Sequence, residues 1–226
     1  MSSGKSGIGK SGQGKTRVKT ARRRTAQSTR WLQRQLDDPY VKAAKAQGFR
    51  SRAAFKLLEL DEKFNLLRGV KRVVDLGAAP GGWIQVVRQK RPGAGLVGID
   101  LLDIDPIEGA TIFKMDFLDD AAPGKLIEAL GGQPDLVLSD MAANTTGHRQ
   151  TDHLRTMGLV EVAVDFAHRN LIPGGSFVAK VLAGGADAAL VAELKRNFAA
   201  VKHVKPPASR KGSSEWYVVA QGFKGE

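Results

Sequence analysis

The chain has 226 residues, with 35 Lys and Arg against 23 Asp and Glu, and no Cys. That length carries one ordinary domain with a full core, and the missing Cys excludes a disulfide framework, a thiolate metal site and a cysteine nucleophile. No stretch approaches the about 18 uninterrupted apolar residues of a membrane span, so a monomeric, cytoplasmic protein with no membrane partner is expected.

The net charge of +12 is uneven: residues 1–30 hold nine Lys and Arg and no acid, leaving 26 basic against 23 acidic groups for the rest. This segment is rich in Gly and Ser and nearly lacks apolar residues, so it cannot bury enough surface to offset its ordering entropy. A disordered basic tail over 1–30 is expected, followed by one domain over 31–226. Polybasic arms release counterions from nucleic-acid phosphates. Basic character continues through Arg34, Lys42, Lys45, Arg50, Arg52 and Lys56, interleaved with Trp31, Tyr40, Phe49 and Phe55. Such a mixture can grip phosphates and stack on bases, or form a helix with one wet and one packed face.

A helix is expected from Ser51, with Phe55, Leu58, Phe64 and Leu67 on its apolar stripe and Gly69 as its stop. Strands and helices then alternate: strand 71–76, helix 82–89, strand 96–100, strand 111–115, helix 123–130, strand 135–140, helix 152–170, strand 176–181, helix 186–198, strand 201–205 and strand 215–221. Alternation of this kind predicts a mostly parallel sheet covered on both faces by helices. The helix-free link between the last two strands favours an antiparallel final strand. The expected architecture is a seven-stranded open α/β domain.

The sharpest motif is Val73-Val74-Asp75-Leu76-Gly77-Ala78-Ala79-Pro80-Gly81-Gly82-Trp83, a glycine-rich turn between strand and helix. It lacks the dinucleotide pattern, because Ala79 stands at the middle glycine. No Lys-Ser/Thr follows, so it is not a phosphate loop. Asp75, beside Gly77 at the end of the first strand, opposes a pyrophosphate and favours a ligand carrying positive charge. S-adenosylmethionine, with its sulfonium and ammonium, meets that demand. Asp100 ends the second strand, where an acid accepts hydrogen bonds from ribose hydroxyls, and Asp116, after the third, is placed for the adenine amino group.

Asp140 ends the fourth strand, and Lys180 lies inside the apolar strand Ser176–Val181, where an ammonium is costly to bury without a partner. Two readings remain: a structural ion pair, or a reaction centre at the ligand-binding edge. An antiparallel last strand would start at that edge and bring Glu215 there. Lys56 would complete the cluster, although alone it reads as a solvated helix residue.

Residues Val73–Trp83, Leu138-Ser139-Asp140-Met141-Ala142, Pro173–Val181 and Ser213-Ser214-Glu215-Trp216-Tyr217-Val218 together resemble the FtsJ/RlmE family of ribosomal RNA 2′-O-methyltransferases, over residues 31–226. The resemblance implies a Rossmann-like methyltransferase fold, a catalytic set of Lys56, Asp140, Lys180 and Glu215, and cofactor contacts at Gly81, Trp83, Asp100, Asp116 and Asp140. It also implies 2′-O-methylation of a uridine in the A-loop of 23S rRNA within the large ribosomal subunit, in support of ribosome maturation. Ala143 departs from the family's Pro after Met-Ala. Lys180 is assigned as general base, with a charged Lys180 steadying the oxyanion as the alternative. No metal is called for, and His148 and His153 read as loop hydrogen-bonding residues. RNA contact is expected from the tail, from Arg34 to Arg52 and from Arg210-Lys211. Rival readings are a related enzyme acting on an mRNA cap, tRNA or 16S rRNA, and an RNA-binding assembly factor without turnover.

Overall fold

The computed structural model describes residue 25 and residues 36–143, 146–182, 188–210 and 212–225. All of the expected tail but residue 25 lies outside the described residues, as do Trp31, Arg34 and Lys211.

Strands β1 (Arg72–Leu76), β2 (Gly95–Asp100), β3 (Thr111–Lys114), β4 (Leu136–Ser139), β5 (Ser176–Leu182), β6 (Phe198–Val204) and β7 (Glu215–Phe223) form one sheet in the order β3-β2-β1-β4-β5-β7-β6. The pairings among β1 to β5 are parallel, and β7 runs antiparallel to both β5 and β6. The expected seven-stranded α/β architecture with a reversed last strand is therefore present. Its reversal matters for function, because the start of β7 meets the end of β5: Glu215 pairs with Leu182 and Tyr217 with Lys180.

The helices are α1 (Pro39–Ala46), α2 (Ala53–Phe64), α3 (Gly82–Lys90), α4 (Ala122–Leu130), α5 (Arg149–Asn170) and α6 (Ala188–Asn197). They cover both faces of the sheet, as strands buried on both sides require. One face packs Val74, Leu76, Val137, Phe177 and Val218 against residues of α4, α5 and α6 such as Leu126, Val164 and Leu194. The other packs Val73, Leu138, Val178 and Tyr217 against Leu57 and Leu60 of α2 and Trp83 and Ile84 of α3. Among the described residues no helix is long and apolar enough to cross a membrane.

One stretch that the sequence left open is helical, and two local readings differ from the sequence expectation. Helix α1 emerges from the basic and aromatic stretch: Asp38 caps it, accepting from the Tyr40 amide at 3.0 Å, with Pro39 in the first turn. Helix α2 stops at Asn65 in a left-handed conformation rather than at Gly69. Its buried face is Ala54, Leu57 and Leu60 together with Lys56, not Phe55, Leu58 and Phe64. Phe55 instead meets Tyr40 and Phe49 at centroid distances of 5.4 and 5.8 Å, because α1 gives this helix a second apolar neighbour. Strand β6 begins at Phe198, which sequence pattern assigns to the preceding helix. Phe198 pairs in register with Phe223 and is fully buried against it.

Candidate active site

The carboxyl ends of the parallel strands and the start of β7 share one edge of the sheet, where open α/β sheets bind ligands. Two groups of side chains stand there.

The first surrounds the glycine-rich turn. Gly77 (φ 77°) and Gly81 (φ 100°) both adopt left-handed backbone. A Cβ on Gly77 would stand 2.8 Å from the Met141 amide nitrogen, so that position requires glycine sterically as well, whereas one on Gly81 would meet only side-chain tips, that of Ile107 nearest at 2.7 Å. Asp100, at the end of β2, accepts from the Ala79 amide at 2.8 Å and the Leu102 amide at 2.9 Å, which ties the second strand's carboxylate to the turn. Asp116 follows β3 and accepts from the Leu118 amide at 2.9 Å. Trp83 differs from a cofactor-facing side chain: its indole is buried against Tyr217 and donates to the Ala53 carbonyl at 2.8 Å. Its main chain lies in the first turn of α3, directly after the glycine-rich turn.

Asp75 is 1% exposed, and both of its carboxylate oxygens lack a hydrogen-bond partner. Burial pushes this carboxyl well above its ordinary range, and the charges of Asp140 and Asp100 push it further. An acid raised by folding keeps its full stability only below the unfolded pKa of about 4 and loses it as pH rises toward the folded value. Replacing Asp75 with Asn is thus expected to raise the thermal midpoint of the free protein at pH 8. That advantage should close by about pH 4, where the acid is protonated in both states. Denaturation scans across this range check it, and an advantage that is constant with pH would contradict it.

The second group lies between β4, β5, β7 and α2. Lys180 Nζ donates to the Asp140 carbonyl at 2.8 Å and stands 3.1 Å from Asp140 Oδ1 and 3.8 Å from Glu215 Oε1. Lys56 Nζ is 3.1 Å from Glu215 Oε2 and 4.0 Å from Asp140 Oδ1. The four side chains proposed from the sequence, although spread from residue 56 to residue 215, thus form one continuous network. Lys56 and Lys180 are both buried residues, each 7% exposed. Lys56 reaches the site because it lies on the packed face of α2 beside Leu57 and Leu60.

Burial raises the Asp140 carboxyl, but Lys180, Lys56 and the Tyr217 hydroxyl outweigh it and hold Asp140 below the usual carboxylate range. Glu215 is held low in the same way, burial being outweighed by Lys56 and Lys180. Tyr217, which sequence reasoning missed as a site residue, sits between the two lysine-bearing elements. Its hydroxyl accepts from Lys56 at 3.0 Å and donates to Asp140 Oδ1 at 2.5 Å. The missed signal is its register: two residues after Glu215 on a strand, it must face the same side.

Two cavities open onto this network. One of about 780 Å³ is lined by residues including Lys45, Phe49, Arg50, Lys56, Arg210 and Glu215. The other, of about 570 Å³, reaches Lys180 and Glu215 past Ala142, His153 and Thr156. The guanidinium groups expected to contact phosphate are partly used by the protein itself. Arg50 donates to the carbonyls of Asp105 at 2.6 Å and Pro106 at 3.0 Å, bracing the loop after β2. Arg52 pairs with Asp38 at 2.9 Å and donates to the Ala208 carbonyl, and Arg210 reaches the same Asp38 at 3.3 Å. His148 lies within 3.5 Å of the Thr151 hydroxyl. Ala143 ends the described part of its loop, and residues 144 and 145 lie outside it.

Comparison with known proteins gives a consistent answer. The FtsJ-like methyltransferase family profile matches residues 49–223. A protein of Novosphingobium aromaticivorans named Ribosomal RNA large subunit methyltransferase E is 74% identical over 209 residues, covering 92% of this chain and 94% of that one. A Zymomonas mobilis protein of the same name is 71% identical over 210 residues, covering 93% and 95%. Among solved structures, a Plasmodium falciparum chain assigned as a ribosomal RNA methyltransferase superposes with a TM-score of 0.71 at 31% identity, covering 79% of this chain and all of that one. With its glycine-rich turn and its buried lysine–carboxylate network lying inside the matched residues, the chain belongs to the FtsJ-like methyltransferase family.

Proposed function

We propose that this chain transfers a methyl group from S-adenosylmethionine to the ribose 2′-hydroxyl of a uridine in the A-loop of 23S rRNA, within the large ribosomal subunit. The observation that carries the chemistry is the convergence of Lys56, Asp140, Lys180 and Glu215 at the ligand-binding edge. A binding module has no need to bury two lysines there. The substrate is supported by the relatives' shared name and by the chain's charge of +12, which suits an RNA partner.

The cofactor reading rests on its donor set. Asp75, Asp100 and Asp116 follow one another along adjacent strand ends, and the orphaned Asp75 carboxyl suits a cationic ligand. Gly77, Gly81 and the Trp83 main chain would line the turn, Asp100 would take the ribose hydroxyls and Asp116 the adenine amino group. When bound, the cofactor supplies a methyl already activated by its sulfonium.

The chain's own residues must then align the 2′-oxygen and handle its proton. Two of the hydrogen-bonding positions on Lys180 Nζ are directed at Asp140, one to its carbonyl and one to Oδ1. The remaining position is available to the ribose hydroxyl, and we assign Lys180, once it has given up its own proton and carries a free lone pair there, as the residue that accepts the hydroxyl's proton. Asp140 orients Lys180, while Lys56 and Glu215 hold the ribose side of the pocket. The basic residues 1–30 would add phosphate contacts that carry affinity rather than sequence choice.

The test is incubation with labelled S-adenosylmethionine and large ribosomal subunits from cells lacking the enzyme, followed by mapping of 2′-O-methylated positions. Label at one A-loop uridine is the expected result. Label on tRNA, 16S rRNA or protein instead would overturn the substrate.

A further inference from the structure

We propose that Tyr217 is a positioning residue of the methyl-transfer centre: its hydroxyl spaces Lys56 away from Asp140, so that Asp140 Oδ1 stays with Lys180. The inference rests on the reading of Lys180 given above and extends it to a side chain outside the four-residue set.

The hydroxyl stands where two otherwise competing ammonium groups approach one carboxylate oxygen. Lys180 Nζ is 3.1 Å from Asp140 Oδ1, whereas Lys56 Nζ is 4.0 Å away, beyond a hydrogen bond. The gap is bridged by Tyr217, which accepts from Lys56 at 3.0 Å and donates its single proton to Oδ1 at 2.5 Å. A phenol is suited to this place because it is donor and acceptor at once. An ammonium cannot accept, and an ionised carboxylate cannot donate.

The hydroxyl is also held rigidly. Tyr217 is fully buried, and its strand neighbours are Lys180 on β5 and Val204 on β6. Its ring packs on Trp83 at 5.8 Å, and Trp83 is fixed in turn by its bond to the Ala53 carbonyl. Burial, and then the charge of Asp140, push the phenol well above its ordinary range, so its proton remains available for donation. Without the hydroxyl, Lys56 is left about 1 Å short of direct contact with Asp140, a shift that a lysine side chain makes readily. Lys56 would then compete with Lys180 for Oδ1 and turn the reacting amine away from the ribose.

Tyr217→Phe tests this, because it keeps the ring and its packing and removes only the hydroxyl. The expected result is a fall in kcat of about tenfold or more, with KM for ribosomal subunits and cofactor affinity each within about threefold of the parent. The acid limb of the kcat profile should also move to higher pH, since a donor that holds Asp140 low is gone. Lys56 of α2, Asp75 of β1, Lys180 of β5 and Glu215 of β7 also face that carboxylate and are unchanged. A crystal structure of Tyr217→Phe should show Lys56 Nζ in hydrogen-bonding contact with Asp140.

Parental kcat with an unmoved acid limb would overturn the proposal. So would a Tyr217→Phe structure with Lys56 and Lys180 undisturbed. That structure decides the matter even if the parent protein labels no ribosomal RNA, an outcome that would bring down the substrate assignment alone.

Discussion

Lys180→Ala is expected to reduce kcat by at least about 10³-fold on large ribosomal subunits, with cofactor affinity within about threefold of the parent. The separation of effects follows from position. Lys180 lies on β5 and touches Asp140 and Glu215, whereas the glycine-rich turn and Asp100 belong to β1, β2 and the loops after them. Removing the amine deletes the group that handles the 2′-hydroxyl proton and leaves the cofactor's lining in place. Lys180→Arg separates charge from geometry. Its planar fork keeps a cation beside Asp140 but cannot accept a proton, so a base role predicts that Arg is nearly as inactive as Ala. Single-turnover assays with labelled cofactor, alongside calorimetry of cofactor binding, read both quantities. Substantial methylation by the Ala variant would remove Lys180 from the chemistry.

The parts of this site that were legible in the sequence share a physical cause. Asp100 and Asp140 each terminate a strand read from its apolar run, Asp75 stands one residue before the end of another, and strand ends in a parallel sheet share one edge whatever the lateral order. Lys180 stood out because an ammonium inside Ser176–Leu182 violates the pattern around it. Glu215 followed from the reversal of β7, which the short helix-free link before it implied. Lys56 was harder to read. Phe55 turns toward Tyr40 of α1, Leu58 and Phe64 pack only partly against the core, and the fully buried positions are Ala54, Lys56, Leu57 and Leu60. Helical periodicity gives the existence of an apolar face, but a helix with two apolar neighbours leaves its orientation undetermined. Tyr217 was hidden for the opposite reason. An aromatic residue in a strand between Trp216 and Val218 satisfies the expected pattern so well that its polar end goes unnoticed. Nothing in local sequence separates a guanidinium that braces carbonyls, as Arg50 does, from one awaiting phosphate.

Asp140→Ala should combine the largest loss of stability with a loss of activity comparable to that of Lys180→Ala. Asp140 Oδ1 takes Lys180 at 3.1 Å and the Tyr217 hydroxyl at 2.5 Å and faces Lys56 at 4.0 Å. Deleting it leaves two buried ammonium groups with Glu215 as their remaining carboxylate, itself 3.8 Å from Lys180. Breaking a buried pair by removing one partner costs about 3–5 kcal/mol, because the other charge stays buried. The Asp140 side chain is 17% exposed, so the lower end applies, about 3 kcal/mol. For a domain of this size that is a fall in thermal midpoint of about 6–12 °C. Asp140→Asn should lose less, since its amide oxygen still accepts from Tyr217 and Lys180 while the attraction to charge is gone. The pH dependence identifies the cause. Because folding holds this carboxyl low, its contribution is present above the unfolded pKa of about 4 and disappears as pH falls through the folded value. The deficit of Asp140→Asn should therefore be widest at neutral pH and narrow on acidification, opposite in sign to the behaviour expected of Asp75→Asn. A deficit that persists undiminished at low pH would mean that the site is held by packing rather than by charge. Asp140 would then be only one of several groups filling the pocket, and not the anchor on which both lysines depend.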